Sequence, residues 1–335
     1  MESFDQCSRI GKARRMRPLA LRVLEQYALE VTGLELVGVF TNLLFKVRVA
    51  KGGPYLLRVC RPGWRTDQDL LSEAAWLRAL AYDPQVGAPQ PVRSRAGNYI
   101  TSADDPGVGR PHRCMLMSWI PGTLLAKHLS EPNLEKMGTL FARLHNSSLS
   151  FVPPPHFTRR RMDSIYARGE ADVLFSDSNR AAFTAQALDL FQKVDDQVKA
   201  AFRDLYAGPL GLRVIHSDLH HENINLYRGQ LHPLDFEDTL WGYPIQDIAM
   251  AMQDLWLGVK REEYELYLSA FRRGYEQHVA WPESSPGQID IFRAGRMLWV
   301  SNVMACNEPV YLKEHVERVA RVFKAFLDTG RIRKT

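Results

Sequence analysis

The sequence contains few cysteines and no long hydrophobic run. Four of its 335 residues are cysteine, and none of them forms a C-x-x-C pair. This argues against a zinc site or a dense disulfide framework and leaves buried thiols in a reducing cytosol as the simpler interpretation. No stretch approaches the roughly 18 apolar residues of a membrane helix, and residues 1–18 lack the apolar centre of a secretory signal. We therefore expect a soluble, cytoplasmic protein with no membrane partner.

The sequence also lacks a basic stripe, although its formal net charge is +5. The excess lies at the two ends, because residues 1–18 carry five Lys/Arg against two acids and residues 311–335 carry seven against three. No aromatic residues alternate with basic ones along a face, as they do in many proteins that bind nucleic acids. We therefore expect no nucleic-acid partner.

The secondary-structure pattern changes near residue 120. A helix is predicted over residues 19–31 and another over 67–82, with Asp67 as its N-cap. Short strands are predicted over residues 36–40, 43–49, 55–59 and 114–120. Beyond Pro121-Gly122, the apolar residues mostly recur at the spacing of an α-helix. The sequence thus predicts an α+β protein with a strand-rich domain over residues 1–120 and a helix-rich domain over residues 121–335.

One acidic segment within the helix-rich part has the residue types of a cation site. Two short predicted strands flank Gly229, and Asn223 and Asp235 each lie six residues from it, so both would flank the open base of one hairpin. Asp218 lies five residues before Asn223. Oxygen ligands of this kind hold magnesium beside phosphates. Six acids against one arginine over residues 216–247 indicate that a bound cation or a cationic substrate relieves repulsion.

The same segment resembles a known catalytic loop. His216-Ser217-Asp218-Leu219-His220-His221-Glu222-Asn223 is similar to the H-x-D-x-x-x-x-N loop of protein-kinase-like enzymes, and Asp235-Phe236-Glu237 stands where they carry D-F-G. The form H-x-D-L-H-x-x-N, followed by L-D-F-E-D and Q-D-I-A, resembles the aminoglycoside phosphotransferase and choline kinase-like family. Further motifs match in the same order at residues 55–59, 72–77, 115–122 and 142–145.

This resemblance implies a two-lobed protein-kinase-like fold, with a small antiparallel-sheet N-lobe, a mainly helical C-lobe and an ATP site between them. It implies an ATP- and Mg²⁺-dependent transfer of the γ-phosphate to a hydroxyl. Asp218 would then accept or orient the hydroxyl proton, and Asn223 and Asp235 would hold magnesium. By the same resemblance, His216 would brace the loop and Asp247 would cap its backbone, both as structural supports.

In the strand-rich domain, the resemblance points to two nucleotide contacts. The turn over residues 38–42 would cover the phosphates through Thr41 and Asn42, although it lacks the G-x-G-x-x-G pattern and an ordinary hairpin turn is the alternative. The second contact would be a hinge whose backbone groups meet the adenine edge. The hinge residues are Met117, Ser118, Trp119 and Ile120.

A cation on the third strand should face the phosphates and pair with a helix glutamate. The sequence has Arg58 at the position where kinases usually carry lysine, with Glu73 fifteen residues later. Arginine can pair bidentately with phosphate or carboxylate, so the exchange is chemically possible. The alternative is that Arg58 is a stacked or surface arginine and that Lys46 takes the role.

The phosphate acceptor is less well specified by the sequence. Glu237, Asp238 and Asp254 would suit an amino-containing small molecule of the aminoglycoside, amino-alcohol or amino-acid type, although Glu237 and Asp238 as metal ligands or solvated acids are alternatives. The aromatic residues of the helical half are core residues or pocket walls: Trp241, Tyr243, Trp256 and Trp299. His220 is expected to pack in the loop and His221 to be exposed.

Two other functions are compatible with the same motifs. A Ser/Thr protein kinase is the first, but no activation-loop and A-P-E stretch follows Asp235, which favours a small-molecule acceptor. A nucleotide-binding pseudokinase is the second, but the presence of Asp218, Asn223 and Asp235 argues for catalysis. Oligomeric state is left open by the sequence.

Overall fold

A computed structural model describes residues 7–104, 111–208 and 211–333. The outer ends of the two predicted domains, residues 1–6 and 334–335, lie outside the described residues. Contacts group the chain into two compact units. Unit 1 comprises Met1–Gly122, Phe151–Thr158 and His232–Glu237, and unit 2 comprises Thr123–Ser150, Arg159–Leu231 and Asp238–Thr335. The assignment of residues 1–120 to nucleotide binding and of 121–335 to substrate binding stays a prediction.

Unit 1 contains a five-stranded antiparallel sheet in the order β1-β2-β3-β5-β4. Its strands are β1 Val31–Val39, β2 Leu43–Val49, β3 Tyr55–Val59, β4 Ile100–Ala103 and β5 His112–Ser118. β2 shows why the sheet forms, because its buried Leu43, Phe45 and Val47 alternate with more exposed residues. This period of two places one face of the strand in the core of the unit.

Two helices belong to unit 1, α1 Arg9–Leu24 and α2 Asp67–Leu80. The helix predicted over residues 19–31 is wrong at both ends. The Ser8 hydroxyl caps α1 by accepting the Gly11 N–H at 3.1 Å, and the β-branched Val31 begins β1 by pairing with Val49. α2 is capped by Thr66 and not by Asp67.

Unit 2 is mainly helical, so the predicted α+β class is confirmed. Its helices are α3 Glu131–Ser150, α4 Ala185–Ala207, α5 Pro244–Gly258, α6 Arg261–Glu276, α7 Gln288–Asn307 and α8 Leu312–Thr329. The remaining short strands are β6 Thr123–Leu124, β7 Arg213–Ile215, β8 Ile224–Tyr227, β9 Gln230–Pro233 and β10 Leu240–Gly242, of which β9 ends in unit 1. β8 turns back into β9 through Arg228 and Gly229, which both have positive φ. This is the turn geometry that suits a two-residue hairpin.

Close packing of α3 on α6 depends on two glycines. A Cβ at Gly138 would lie 1.9 Å from the Phe271 carbonyl oxygen, and a Cβ at Gly274 would lie 1.8 Å from the Glu135 carbonyl oxygen. Both distances are far below contact, so only glycine allows the two backbones to approach in this way. The Thr139 hydroxyl donates to the Gly274 carbonyl at 3.2 Å and joins the helices at the same place.

The cysteines agree with the sequence interpretation at three of four positions. Cys7, Cys60 and Cys114 are buried free thiols, whereas Cys306 is exposed, so burial was predicted wrongly for that residue. Burial raises the pKa of the Cys60 and Cys114 thiols. Within the described ranges, none of the helices is both long enough and apolar enough to span a membrane.

Candidate active site

The loop between β7 and β8 is held in place from α5. The buried Asp247 carboxylate accepts the backbone N–H groups of His216 at 3.2 Å and Ser217 at 2.8 Å. It also lies 3.3 Å from Nε2 of His145 on α3. Ser217 has φ +67°, which is unusual for a residue with a side chain. The two hydrogen bonds therefore fix a strained peptide directly before Asp218.

Asp218 and Asn223 lie together at the end of this loop in unit 2. The Asn223 amide nitrogen donates to the Asp218 carbonyl at 2.9 Å and lies 3.4 Å from the Asp218 carboxylate. The same nitrogen lies 3.3 Å from Nε2 of His220, so the Asn223 oxygen is directed away from these groups. Nδ1 of the buried His216 accepts the Asp218 N–H at 3.3 Å. The Asp218 side chain keeps 23% of its surface exposed.

Two arginines that sequence reasoning missed contact the Asp218 carboxylate. Arg168 approaches Oδ1 of Asp218 to 2.9 Å, and Arg296 on α7 approaches the same oxygen to 3.5 Å. Burial alone raises the pKa of Asp218, but the charges of the two arginines outweigh it and lower this pKa to about 2. The arginines lie 50 and 78 residues from Asp218 along the chain, and no motif marks them.

Three further side chains differ from expectation. Asp238 pairs with Arg168 at 3.1 Å, and Glu237, in unit 1, accepts the Asn42 amide at 2.5 Å. Both acids are buried, so the solvated-acid interpretation is wrong. His221 is buried and not exposed. It supports the loop through its carbonyl, which accepts the Ala126 N–H at 3.0 Å.

In unit 1, Arg58 on β3 forms a bidentate ion pair with Glu73 on α2. Both side chains are only 2% exposed, so Arg58 is not a surface arginine. Burial opposes its charge, but Glu73 and Glu237 hold the pKa of Arg58 well above its usual value. Lys46, the alternative cation, lies with Nζ 4.4 Å from the centre of the Trp119 ring. Arg58, and not Lys46, therefore occupies the buried position beside the helix glutamate.

Asp235 also belongs to unit 1, whereas Asp218 and Asn223 belong to unit 2. Oδ1 of Asp235 lies 4.0 Å from Nη1 of Arg58, and the side chain is 47% exposed. Its φ of +56° is a left-handed conformation. A half-exposed carboxylate on a strained backbone beside a buried cation is typical of a functional position.

The two predicted phosphate-loop residues differ in their surroundings. Thr41 is exposed. Asn42 is buried and uses both ends of its amide, because it donates to Glu237 at 2.5 Å and accepts the Arg61 N–H at 3.1 Å. This geometry favours a bracing position for Asn42.

The predicted hinge continues β5, where Met117 is buried. The backbone N–H groups of Ser118 and Trp119 donate to the carbonyls of Gln90 at 2.8 Å and Pro54 at 3.1 Å. Recognition of adenine through either N–H would therefore require a change of partner.

The side-chain oxygens of Asp235 in unit 1 and of Asn223 in unit 2 are each of the hard kind that magnesium prefers. Among the residues that the structure describes, no three His, Cys, Asp or Glu side chains converge to hold a metal. Magnesium bound with a nucleotide needs only one or two protein carboxylates, because phosphates and waters complete its shell. The oxygen of Asn223, set by the three contacts of its nitrogen, is a ligand of the right hardness.

Comparison with known proteins decides the family. The family model described as "Phosphotransferase enzyme family" matches residues 33–286, which is most of the chain. The chain belongs to the phosphotransferase enzyme family. The resemblance seen in the sequence is thereby confirmed, and this phosphotransferase is an enzyme.

Relatives of this phosphotransferase include named kinases. It is 24% identical to the amicoumacin kinase of Bacillus subtilis (strain 168) over 257 residues, which cover 73% of this chain and 72% of the relative. A solved microcompartment-associated aminopropanol kinase has a TM-score of 0.78 at 20% identity, with 94% of this chain and 99% of that chain covered. A solved amicoumacin kinase in complex with AMP-PNP, Ca²⁺ and Ami has a TM-score of 0.74 at 18% identity, with 95% and 94% covered. These likenesses confirm the protein-kinase-like fold.

Proposed function

We propose that this phosphotransferase transfers the γ-phosphate of ATP, in the presence of Mg²⁺, to a hydroxyl group of a small molecule. The observation that carries the proposal is the loop of unit 2. There Asp247 fixes the peptides before Asp218, while Asn223 is hydrogen-bonded to Asp218 itself. Catalysis of phosphoryl transfer consists mainly of positioning and charge stabilisation, so a fixed carboxylate beside a metal ligand suits it.

In this proposal Asp218 accepts a hydrogen bond from the acceptor hydroxyl. The acceptor oxygen forms a bond to the γ-phosphorus, the bond from that phosphorus to the bridging oxygen breaks, and the hydroxyl proton leaves towards Asp218. The low pKa of Asp218 keeps the carboxylate charged. It orients the hydroxyl first and takes the proton late, as a loose transition state requires.

The nucleotide side of the proposal rests on unit 1. Arg58, held by Glu73, supplies the buried positive charge that would face phosphates. Asp235 is the metal ligand proposed in unit 1, and Asn223 is the one proposed in unit 2; the metal would supply positive charge to the phosphates. Thr41 and the segment over residues 117–120 are further nucleotide contacts in this proposal. The relative solved with AMP-PNP and Ca²⁺ supports the use of a nucleotide and a divalent cation.

The first test replaces Asp218 with Asn. We expect Asp218→Asn to lower kcat for ADP formation with an accepted hydroxyl compound by at least about 100-fold, because general-base and orienting effects contribute about 100- to 10,000-fold. Binding of the nucleotide should be nearly unchanged, since its predicted contacts lie elsewhere. Coupled ADP-release kinetics and calorimetry measure the two quantities. A fully active variant would overturn the role of Asp218.

The second test replaces Asp235 with Ala and uses calorimetric titration of ATP with and without Mg²⁺. We expect wild type to bind ATP more tightly with Mg²⁺ and the variant to lose that difference, because a metal ligand has been removed. Unchanged Mg²⁺ dependence would contradict the role of Asp235. Absence of ATP binding in both proteins would favour a scaffold, and labelled phosphate on protein alone would favour a protein kinase.

A further inference from the structure

The two oxygens of the Asp218 carboxylate are held unequally. Nη2 of Arg168 lies 2.9 Å from Oδ1, and Nη2 of Arg296 lies 3.5 Å from the same oxygen. Oδ2 has one hydrogen-bond contact among the described residues, the Asn223 amide nitrogen at 3.4 Å. A carboxylate oxygen has about two lone pairs for hydrogen bonds. The two guanidinium groups therefore occupy Oδ1, whereas Oδ2 keeps room for a further donor.

Arg168 connects Asp218 to two neighbouring groups of unit 2. Its guanidinium also donates to the Ser217 carbonyl and pairs with Asp238 at 3.1 Å. This carbonyl belongs to the peptide that joins Ser217 to Asp218, so the same arginine holds both the backbone and the side chain at this position. The Arg168 side chain is 8% exposed. A buried guanidinium with several fixed acceptors has little freedom to move.

Arg296 reaches Asp218 from α7 and is fixed by a different acid. Asp254 on α5 accepts two hydrogen bonds from the Arg296 guanidinium, at 3.2 Å and 2.8 Å. The Arg296 side chain is 11% exposed. Asp254 and Asp238 are thus already paired with arginines, and a substrate amine would have to displace one of them. This removes the basis for expecting these two acids to recognise an amino group.

One aromatic ring aligns the two arginines. The central guanidinium carbons of Arg168 and Arg296 lie 4.9 Å and 4.1 Å from the centre of the Trp299 ring. The Trp299 indole N–H donates to Glu170 at 2.6 Å, and Glu170 also accepts the Arg168 backbone N–H at 3.2 Å. The ring is therefore fixed by a hydrogen bond, and its cation–π contacts pre-organise both guanidiniums before any substrate binds.

A carboxylate that is held at one oxygen does not swing freely. The terminal torsion of an aspartate is broad when nothing restrains it, and a misplacement of about 1 Å can lower the rate of an enzyme about 100-fold. The Asp218 side chain is 23% exposed, so packing alone does not fix it. Two arginines from different parts of the chain supply the restraint.

We propose that Arg168 and Arg296 are positioning residues, which hold Oδ1 of Asp218 and leave Oδ2 to receive the acceptor hydroxyl. The inference rests on the proposed function and adds two residues to it. The hydroxyl donates to Oδ2, and its oxygen forms the bond to the γ-phosphorus. The bond from that phosphorus to the bridging oxygen of ATP breaks, and the proton passes to Oδ2. Neither arginine touches the reacting atoms, so both act through Asp218.

The test is a double-mutant cycle on kcat for ADP release from ATP with Mg²⁺. The acceptor is whichever of ethanolamine, serine and kanamycin gives the highest rate, or water where none raises the rate. We expect Arg296→Gln to lower kcat about 10- to 100-fold while KM for ATP changes less than about threefold, because only the orientation of Asp218 is lost. Arg296→Lys should lose less, because it retains the charge. Arg168→Gln should lose more than Arg296→Gln, because Arg168 lies closer and also holds the backbone.

The second arm of the cycle repeats these substitutions in Asp218→Asn. There, neither Arg296→Gln nor Arg168→Gln should lower kcat by more than about a further threefold, because no carboxylate is left to be held. A substitution that only damages the fold lowers kcat by the same factor in both backgrounds. That result, or a full kcat in Arg296→Gln, would contradict the positioning role.

Arg272→Gln on α6 is the matched control. Arg272 also stacks on a tryptophan, with its central carbon 5.2 Å from the centre of the Trp281 ring, and it pairs with Glu276 at 2.9 Å. It does not contact Asp218, so its kcat should equal that of wild type. Urea unfolding midpoints show which variants are folded in the assay. If Arg168→Gln is not folded, Arg296→Gln carries the cycle.

The outcomes distinguish this inference from the proposed function. A wild type that releases no ADP with any of these acceptors, or an Asp218→Asn variant as active as wild type, would overturn the proposed function. An active wild type whose kcat depends on Asp218 but not on the two arginines would overturn the positioning role alone. A higher KM for the acceptor at unchanged kcat would assign the arginines to substrate binding and would likewise contradict that role.

Discussion

At the scale of single residues, the loop before Asp218 combines strain with an unsatisfied group. Ser217 has φ +67°, and its buried hydroxyl has no hydrogen-bond partner among the described residues. Asp247 compensates by accepting two N–H groups of this loop. The loop is therefore held by one buried carboxylate, at a cost in local backbone energy.

The cost of this conformation can be measured with two substitutions. Both Ser217→Ala and Ser217→Gly remove the unpaired hydroxyl, but only glycine relieves the left-handed backbone, which costs other residues about 1–2 kcal/mol. Glycine normally destabilises by about 0.5–1 kcal/mol relative to alanine. We therefore expect Ser217→Gly to be at least as stable as Ser217→Ala in urea unfolding. An alanine variant that is more stable by about 1 kcal/mol would show that the backbone is not strained here.

At the scale of secondary-structure elements, the close packing of α3 on α6 brings together buried polar side chains of unit 2. His145 on α3 lies 3.0 Å from the Tyr275 hydroxyl on α6 and 3.3 Å from Asp247. These contacts link the closely packed helices α3 and α6 to Asp247, which holds the loop before Asp218. Loss of close packing is therefore expected to affect the loop as well as stability.

Gly138→Ala tests this packing. The added Cβ would meet the Phe271 carbonyl at 1.9 Å, so the helices must separate, at a cost of at least about 2 kcal/mol. This exceeds the gain in helix propensity of about 1 kcal/mol. Gly258→Ala on α5 is the control, because its nearest atom would be an ordinary 3.7 Å away. Equal urea midpoints for the two variants would contradict the proposed close approach.

At the scale of the whole molecule, folding stability should depend on the protonation of a buried histidine. His315 on α8 lies 2.9 Å from the Ser301 hydroxyl and accepts from Arg318 at 3.2 Å. Burial, and then the charge of Arg318, lower the pKa of His315 to about 4. The unfolded chain has an ordinary histidine pKa of about 6.5 and binds the proton more readily between these values.

Stability should therefore fall as the pH drops from about 6.5 to about 4. The contribution of His315 is fully present above pH 6.5, and its loss amounts to about 1–3 kcal/mol at the acid end. His315→Gln should flatten this part of the curve of unfolding free energy against pH, because glutamine does not titrate. The same slope in wild type and variant would show that another group is responsible.

The spacing of apolar residues along the sequence predicted a large part of the fold. β2 and β3 have the predicted bounds because their apolar residues follow the period of a strand between clear turns. The first helix was placed wrongly because Val31 has an apolar side chain that suits either structure, and only its pairing with Val49 decides for a strand. Burial of Glu237 and Asp238 was missed for a similar reason, since their partners are remote in sequence.

The sequence by itself determined the reaction class of this phosphotransferase, because residues 216–223 and 235–237 resemble the motifs of the family and stand close together along the chain. Tertiary structure alone decided what surrounds Asp218. Arg168 and Arg296 lie 50 and 78 residues away, and only the packing of α7 and the segment before α4 brings them to one carboxylate. The electrostatic surroundings of Asp218 therefore follow from helix packing, which no local pattern of residues specifies.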